Sequence, residues 1–389
     1  MERSSVPVKQ ATFPLFSLMN RRTGGDLIPL VIILFLAPSV HGTFMINGFG
    51  EPDSVRIAND AILWHHSAAH INSGELQYRA RVLPFWLFFN RILLDLGTAP
   101  VALPAIYNTL NVVAGCLVLI PLFLIWRRLV GREIAYWGLL VVNIMPAFWL
   151  ANIYGFPHLV GFTFCIYALL VFIVAVDRQE SPHVGFIVLS SALLGLGLSI
   201  KADLILTCGA LFGALCILEK FSVRRVGASF LVPALGLLAP LLLFAALVDP
   251  QEEAVEFATS CNQSFPTTLS AVFSSQNIWV NLSSAGPLLT VITICAVGYM
   301  LISKEYRGIA VFVLCWRLPV ILFWDIRHGN SVRHLMAAVV PLLAKRLIGR
   351  KWLRGLLIIL ILLGNYYIMP PTSNTVISST RLIESRHLF

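Results

Sequence analysis

The sequence predicts an all-α protein, a polytopic bundle of about 10–11 transmembrane helices. Hydrophobic residues make up 58% of the 389 residues and charged residues only 12%, which is about half the charged share of a soluble protein. The mean hydropathy is +0.82, and long apolar runs alternate with short charged segments along the chain. These observations exclude a soluble enzyme, a disordered chain and a secreted disulfide module.

The apolar runs divide the chain into spans that together form one transmembrane domain over residues 1–389. Arg21 and Arg22 precede the first run, as in a signal peptide, but no small-residue cleavage site is obvious, so we expect a retained first span. The run at 334–344 is short enough to be a half-helix. The predicted spans are 27–46, 99–126, 133–150, 158–176, 184–200, 202–219, 227–248, 286–303, 308–324, 334–344 and 355–370.

The distribution of charge orients the predicted bundle. With the N-terminus in the cytoplasm, most of the 28 Lys and Arg residues fall on the cytoplasmic side, as the positive-inside rule requires. This placement explains the net charge of +9 without a nucleic-acid partner, and we expect none. Two outer segments are sizeable, the first loop at 47–98 and a second loop at 249–285. Of the seven cysteines only Cys261 lies in a polar segment, so no disulfide framework is indicated.

Two amphipathic juxtamembrane helices are predicted within the first outer loop. From Ser54 to His70 apolar residues recur mostly at helical spacing, and a second stretch, apolar and rich in aromatic residues, follows from Pro84. We expect both helices to lie along the membrane surface rather than to cross the bilayer.

An acidic pair, Glu51 and Asp53, opens this loop on either side of Pro52. Pro52 disfavours helix at Glu51, so the segment is predicted to be extended, and residues two apart then point the same way. Two carboxylates facing one space would suit proton transfer, and they could also bind Mg²⁺ or Mn²⁺, although nothing in the sequence requires a metal. The alternative is that Asp53 or Ser54 caps the following helix. The two interpretations are compatible, because a capping position also holds a carboxylate rigidly.

Two other patterns have structural explanations that we favour. His66 and His70 have the i, i+4 spacing of a metal-binding pair, but no matching further ligands appear in the sequence. We therefore expect histidines that face water and no metal site. Gly195 and Gly197 lie inside an apolar run rather than before a helix, so they are expected to allow close helix packing and not to form a phosphate-binding loop.

Several short motifs resemble those of the GT-C membrane glycosyltransferases, and as an architecture the resemblance covers most of the chain. The stretch Gly197-Leu-Ser-Ile-Lys201-Ala-Asp203 is similar to a span of that family that ends in Lys. His158, after Tyr154-Gly-Phe-Pro157, falls where the family often places a polar residue. The other motifs are Glu51-Pro-Asp53, Arg56-x-x-x-Asp60-Ala61, Tyr78-Arg79-Ala-Arg81-Val-Leu-Pro84 and Arg333-His-Leu-Met-Ala-Ala-Val-Val-Pro341.

The resemblance implies a GT-C-like fold and a hexosyl- or pentosyltransferase activity. A sugar would pass, with inversion, from a polyprenyl-phosphate donor to an acceptor hydroxyl on a glycan, a lipid or a protein, such as a glycan of the cell envelope. The lipid bilayer would be a partner in its own right. The reaction would take place on the outer face of a bacterial inner membrane, or on the lumenal face of the ER membrane in a eukaryote.

The resemblance also implies roles for particular residues. Asp53 would accept the proton of the acceptor hydroxyl, with Glu51 as the second candidate. The leaving polyprenyl phosphate gains negative charge, which Arg327 and Arg333 would stabilise by bidentate contacts. Supporting candidates for the phosphate site are Lys201, His328 and His334. Candidates for contacts with the sugar or the acceptor are Arg56, Asp60, Tyr78, Arg79, Arg81 and His158.

A transporter or flippase of a lipid-linked or anionic substrate is the main alternative, because it would also have a cavity lined by Arg and His. Its charges should lie near the bilayer midplane, often in two related halves, whereas here they cluster on one predicted face and no internal repeat appears. Arg327 and Arg333 could equally contact lipid headgroups or pair with Asp325. A polymerase or ligase of lipid-linked glycans usually carries its large outer loop late, whereas here the largest comes first.

Overall fold

The computed structural model describes part of the 389-residue chain. The continuous described stretches are residues 48–49, 52–67, 84–130, 132–144, 157–177, 183–201, 223–247, 287–302 and 377–378. Helical residues are also described at positions 31, 33, 34, 36, 148, 204, 212, 307, 310, 311, 314 and 359. The second outer loop at 249–285 and the short run at 334–344 lie outside the described residues.

The described part of the chain is almost entirely helical, which confirms the predicted fold class. The first outer loop contains α1 (Pro52–Ser67) and α2 (Pro84–Asp95), so helices form where two were predicted. A 3₁₀ turn at Pro100–Ala102 leads into the bundle. The bundle helices are α3 (Leu103–Val130), α4 (Arg132–Ile144), α5 (His158–Asp177), α6 (Val184–Ile200), α7 (Val223–Leu247) and α8 (Pro287–Ile302).

The predicted spans agree closely with these helices. The spans at 158–176 and 184–200 coincide with α5 and α6 to within one residue. By length and composition, two described segments are able to cross a membrane, Pro100–Arg128 and His158–Val176. The total number of spans stays a prediction.

Helices α3 to α8 all contribute buried residues to one apolar core, which we call the bundle core. The ring of Phe123 in α3 lies 4.7 Å from that of Tyr136 in α4. Phe212, from the predicted span at 202–219, lies with its ring 4.9 Å from Phe172 of α5, so this span also reaches the bundle core. Buried members of the core include Val118, Leu119, Leu122, Phe123, Leu139, Phe162, Ile166, Leu169, Phe172, Leu194 and Leu198.

Hydrogen bonds between α5 and α3 fix the relative direction of these two helices. The Thr163 hydroxyl of α5 contacts the Ala114 carbonyl oxygen of α3 at 3.2 Å. One turn later the Tyr167 hydroxyl donates to the Leu117 carbonyl at 3.1 Å. Residue numbers rise together along both helices, so α3 and α5 run in the same direction.

By contrast, α6 runs antiparallel to α5. The Ser190 hydroxyl, near the middle of α6, donates to the Ala168 carbonyl of α5 at 2.7 Å. Further along α6, Gly197 faces Gly161, which lies nearer the start of α5. It follows that α3 and α5 begin, and α6 ends, at one end of the bundle. We call this the loop end, because α1 and α2 of the first outer loop also pack there.

The glycines of α6 allow the helices to approach closely on two sides. A Cβ atom on Gly197 would lie 2.7 Å from the Gly161 carbonyl oxygen of α5, and one on Gly195 would lie 2.8 Å from the Cβ of Ala239 in α7. Real Cβ atoms essentially never come this close, so any side chain would separate the helices. The prediction that Gly195 and Gly197 serve close helix packing is thus confirmed.

The outward faces of several bundle helices are apolar. Val184 of α6 is 74% exposed, Phe230 and Leu242 of α7 are each 68% exposed, and Ile302 of α8 is 82% exposed. A soluble protein rarely exposes so many large apolar side chains on adjacent helices, whereas a lipid environment solvates them. The surface therefore agrees with the integral membrane protein that the composition predicts.

A very short β-pair is the one departure from helix among the described residues. β1 (Gly48–Phe49) pairs antiparallel with β2 (Ile377–Ser378), with Gly48 opposite Ser378 and Phe49 opposite Ile377. The pairing brings a segment late in the sequence to the start of the first outer loop, where β1 lies beside α1 and α3. The predicted alternation of spans likewise places both segments on one side of the membrane.

Candidate functional site at the loop end

A second apolar core, the loop-end core, joins the two loop helices to the bundle. Trp86 of α2 packs edge-on against Tyr107 of α3, with ring centroids 5.0 Å apart. Ile200, the last residue of α6, is buried in the same cluster. The buried members of the loop-end core are Ile57, Ala58, Ala61, Trp86, Leu87, Leu94, Leu103, Tyr107 and Ile200.

Described features flank the segment that carries the acidic pair. On the N-terminal side, the Asn108 amide of α3 donates to the Gly48 carbonyl oxygen at 3.1 Å. On the C-terminal side, Ser54 in the first turn of α1 is fully buried. Asp53 directly precedes Ser54 in the first turn of α1.

The alternative that Asp53 or Ser54 caps the helix is wrong. α1 begins at Pro52, so both residues lie inside its first turn. Proline suits this first helical position, because its φ is preset for helix and the missing N–H has no intrahelical partner there. A carboxylate in the first turn still interacts favourably with the helix dipole.

Polar contacts on the exposed side tie α1 to α2. The Nδ1 atom of His65 in α1 donates to the Asp95 carboxylate of α2 at 2.7 Å, and Arg91 Nε donates to the same carboxylate at 2.9 Å. Arg91 also donates to the Trp64 carbonyl and lies over the Trp64 ring at 5.2 Å. The hydrogen bond from His65, followed by the interactions with Arg91, holds the pKa of Asp95 below its ordinary value.

Three of the predicted site residues lie at the loop end, on or beside three different helices. Asp60 of α1 is buried and adjoins Ala61. His158, the first residue of α5, is also buried, and Val160 in the same turn packs against the loop-end core. Lys201 follows Ile200 directly, half-buried, at the point where α6 ends.

The backbone at Lys201 explains how α6 positions this residue. Its N–H donates to the Gly197 carbonyl at 3.0 Å, which closes the last turn of α6, while its own φ of −152° is extended. Gly197 is also the point of closest approach to α5. The position of Lys201 is therefore fixed by the α5–α6 packing.

The remaining predicted site residues are described in part or not at all. Asp53 and Arg56 lie in α1, but only their backbone is described. Of the two histidines with metal-ligand spacing, His66 lies in α1 and His70 is outside the described residues. Across the part of the chain that is described, no three His, Cys, Asp or Glu side chains form a group that could hold a metal ion. The predicted site residues outside the described stretches are Glu51, Tyr78, Arg79, Arg81, Arg327, His328, Arg333 and His334.

Sequence reasoning missed a row of buried polar side chains at the loop end. Tyr107, Asn108 and Asn111 of α3 and Asn90 of α2 are all fully buried. The Asn90 amide donates to the Trp86 carbonyl at 2.7 Å. A signal was available, because Asn108 and Asn111 lie one turn apart near the start of a long apolar helix, where polar residues are costly and often functional.

No protein-family model matches the sequence, and no curated protein sequence matches it. Solved structures do match the fold. ArnT from Cupriavidus metallidurans, bound to undecaprenyl phosphate, aligns with a TM-score of 0.60 and 14% identity over 85% of this chain and 62% of that chain. The oligosaccharyltransferase from Archaeoglobus fulgidus in the apo form aligns with a TM-score of 0.54 and 12% identity over 95% of this chain and 56% of that chain.

The same oligosaccharyltransferase tethered to an acceptor peptide containing the NVT sequon gives a TM-score of 0.53 at 12% identity, again covering 95% of this chain and 56% of that chain. The chain thus spans less than two thirds of the length of each of these proteins. Both are GT-C glycosyltransferases. The chain has the GT-C fold, as the sequence motifs predicted.

Proposed function

We propose that the protein is an integral membrane glycosyltransferase that moves a sugar from a polyprenyl-phosphate donor to an acceptor hydroxyl at the loop end. The presence of Asp60, His158 and Lys201 at this one end, in a chain of GT-C fold, carries the proposal. In the two structural neighbours, the bound molecules are undecaprenyl phosphate and an acceptor peptide. The loop end is proposed to be the outer face of a bacterial inner membrane or the lumenal face of the ER membrane.

The donor phosphate is assigned to the neighbourhood of Lys201. A lysine at the end of an apolar helix is at the depth of lipid headgroups, where its charge stays hydrated while its stem lies among apolar residues. Phosphate oxygens accept charge-assisted hydrogen bonds from such an ammonium group. The lipid tail would lie along the apolar outer faces of the bundle, so no glycine-rich nucleotide loop is needed. Arg327, Arg333, His328 and His334 stay proposed as further phosphate contacts.

The acceptor is assigned to the start of α1. Asp53 is proposed to take the proton of the attacking hydroxyl, with Glu51 as the second candidate. The hydrogen bond from Asn108 to Gly48 and the buried position of Ser54 support the proposal, because general base catalysis needs a carboxylate held in a fixed position. Attack on the anomeric carbon then releases the polyprenyl phosphate, with inversion at that carbon. Asp60, His158, Arg56, Tyr78, Arg79 and Arg81 are proposed to contact the sugar or the acceptor.

Binding of undecaprenyl phosphate to the full chain in nanodiscs tests the proposal. Lys201→Met is expected to weaken binding by about 10- to 100-fold, because a hydrogen bond to a charged group is lost. Lys201→Arg should keep most of the affinity. Arg132→Met is the matched control, because it removes one positive charge at the opposite end of the bundle, at the start of α4. Equal affinity in Lys201→Met and the wild type would contradict the assignment.

A flippase or transporter would give a different result in the same preparation. It would move undecaprenyl phosphate or its glycosylated form between leaflets without changing its chemistry. Translocation with no transfer of sugar to any added acceptor would favour that alternative over the glycosyltransferase.

A further inference from the structure

Asn111 of α3 differs from the other described asparagines of the buried helices. The side-chain amides of Asn90, Asn108 and Asn143 each donate to a backbone carbonyl oxygen, at 2.7, 3.1 and 2.9 Å. Asn111 is 0% exposed, yet neither its Nδ2 nor its Oδ1 atom has a hydrogen-bond partner among the described residues. Because buried amides in native proteins are almost always hydrogen-bonded, this side chain requires a reason.

The position of Asn111 along the bundle follows from the hydrogen bond between α5 and α3. Thr163 of α5 contacts the Ala114 carbonyl, and Asn111 lies one turn before Ala114, about 4.5 Å nearer the loop end. Along the parallel helix α5, His158 precedes Thr163 by five residues, about 7.5 Å. Asn111 is therefore level with the first turn of α5. Along the bundle axis it is about one turn or less further from the loop end than His158. It lies at the inner side of the candidate site.

The chemistry of the two unpartnered atoms indicates what they would bind. Nδ2 can only donate hydrogen bonds and Oδ1 can only accept them. A phosphate oxygen accepts but does not donate at neutral pH, so it would satisfy only half of the amide. A sugar hydroxyl both donates and accepts, and adjacent hydroxyls on a ring can satisfy both atoms together.

We propose that Asn111 is a sugar-positioning residue, which hydrogen-bonds hydroxyls of the sugar carried by the donor while the phosphate lies near Lys201. The inference rests on the proposed function and deepens it, because it separates a sugar subsite below His158 from the phosphate subsite at the end of α6. A ring held at Asn111 would have its orientation fixed relative to the acceptor base.

The test compares two kinds of ligand with one isosteric variant. Asn111→Leu has nearly the same volume and lacks both hydrogen-bonding atoms. The probes are bare undecaprenyl phosphate and its glucosyl, galactosyl, mannosyl and arabinosyl derivatives, bound to the full chain in nanodiscs. We expect Asn111→Leu to bind bare undecaprenyl phosphate with wild-type affinity. The ratio of its affinity for the preferred sugar derivative to its affinity for bare undecaprenyl phosphate should fall by at least about tenfold. This fall corresponds to the loss of about one hydrogen bond.

Three controls separate positioning from a structural role. A buried amide that served only packing would be replaced by Leu without loss of any ligand affinity, and Asn111→Leu should not lower the thermal unfolding temperature. Asn111→Ser, which keeps a donor and an acceptor, should recover part of the sugar-dependent affinity. Asn143→Leu removes the asparagine of α4 and should leave the sugar-dependent affinity unchanged.

Several outcomes would overturn the inference. Wild-type sugar-dependent affinity in Asn111→Leu would do so, as would a panel in which no sugar improves on bare undecaprenyl phosphate in the wild-type protein. An equal loss in Asn143→Leu would show a general packing effect. If the wild-type protein binds none of the lipids, the proposed function and this inference are both wrong, whereas normal lipid binding with a neutral Asn111→Leu refutes the inference alone. Should Asn111→Leu fail to fold, Asn111→Ala, which also lacks both hydrogen-bonding atoms, is judged by the same ratio.

Discussion

The bundle core and the loop-end core share helices but differ in how their polar groups are used. In the bundle, the buried hydroxyls of Thr163, Ser190 and Ser191 each donate to a helix carbonyl. At the loop end, Asn111 has no such partner among the described residues, and the buried groups there include the ionisable side chains of Asp60 and His158. Among the described residues, the buried carboxyl and imidazole groups thus lie at the loop end, whereas the bundle core buries hydroxyl groups that are bonded to helix carbonyls.

This difference teaches which changes should affect stability and which should affect chemistry. A substitution in the bundle core should lower stability and reduce activity only through the loss of folded protein. A substitution of a loop-end polar residue should change ligand binding or turnover while the fold persists. The two classes of effect are separable if unfolding and activity are measured on the same variants.

The largest expected effect is on turnover, at the loop end. Asp53→Asn removes the proposed base, so the rate of sugar transfer should fall by about 10²- to 10⁴-fold. Unfolding temperature and undecaprenyl phosphate affinity should stay at wild-type values. Glu133→Gln, at the opposite end of the bundle in the first turn of α4, is the control and should retain activity. Full activity in Asp53→Asn would remove Asp53 from the mechanism.

The next effect is on stability, in the bundle. Gly197→Ala places a Cβ atom 2.6 Å from the Cys165 sulfur and 2.7 Å from the Gly161 carbonyl oxygen, so α5 and α6 must separate. Overpacking of this kind costs about 1–3 kcal/mol of unfolding free energy. Gly298→Ala in α8 is the matched control, because nothing lies within 4 Å of its added Cβ. Alanine should be neutral or stabilising there, because it favours helix over glycine.

Thermal unfolding in detergent measures both glycine variants. The comparison between the two cores predicts that Gly197→Ala also displaces Lys201, whose N–H bonds to the Gly197 carbonyl. Some loss of lipid affinity should therefore accompany its loss of stability. Equal unfolding temperatures for Gly197→Ala and Gly298→Ala would refute the close-packing interpretation of the α5–α6 crossing.

The smallest expected effect is on the pH dependence of stability, at the exposed α1–α2 contact. The folded-state pKa of Asp95 is lowered, first by the hydrogen bond from His65 and then by Arg91. The ionised Asp95 carboxylate thus stabilises the folded protein above the unfolded-state pKa. This stabilisation is lost as the pH falls through the lower folded-state pKa. Asp95→Asn should be slightly less stable than the wild type at neutral pH, and the two should converge in acid. A difference in unfolding temperature that grows as pH falls would contradict this sign.

The helices were largely predictable from the sequence, and physical reasons explain where they were not. The span at 184–200 was placed correctly because polar residues, His183 and Lys201, bound a mostly apolar run that has no charged residue. By contrast, α3 continues past the predicted end at 126 to Val130, since Trp126 is buried and the following arginines extend the helix with their charges near its C-terminus.

The candidate site was predictable only in part. Lys201 and Asp60 were identified because they stand in motifs that resemble those of the GT-C glycosyltransferases, and the fold brings both to one end. Asn108 and Asn111 were missed, because averaging hydropathy over a span hides single neutral polar residues. Capping by Asp53 or Ser54 was a wrong alternative, because the preset φ of Pro52 already starts the helix before both residues.

A structure of the full chain in nanodiscs with undecaprenyl phosphate bound tests the central claim most directly. We expect the phosphate at the loop end, within about 4 Å of the Lys201 ammonium group and facing the first turn of α1. A phosphate bound instead at the opposite end of the bundle, beside the arginines that end α3, would show that the buried polar groups of the loop end do not form the donor site.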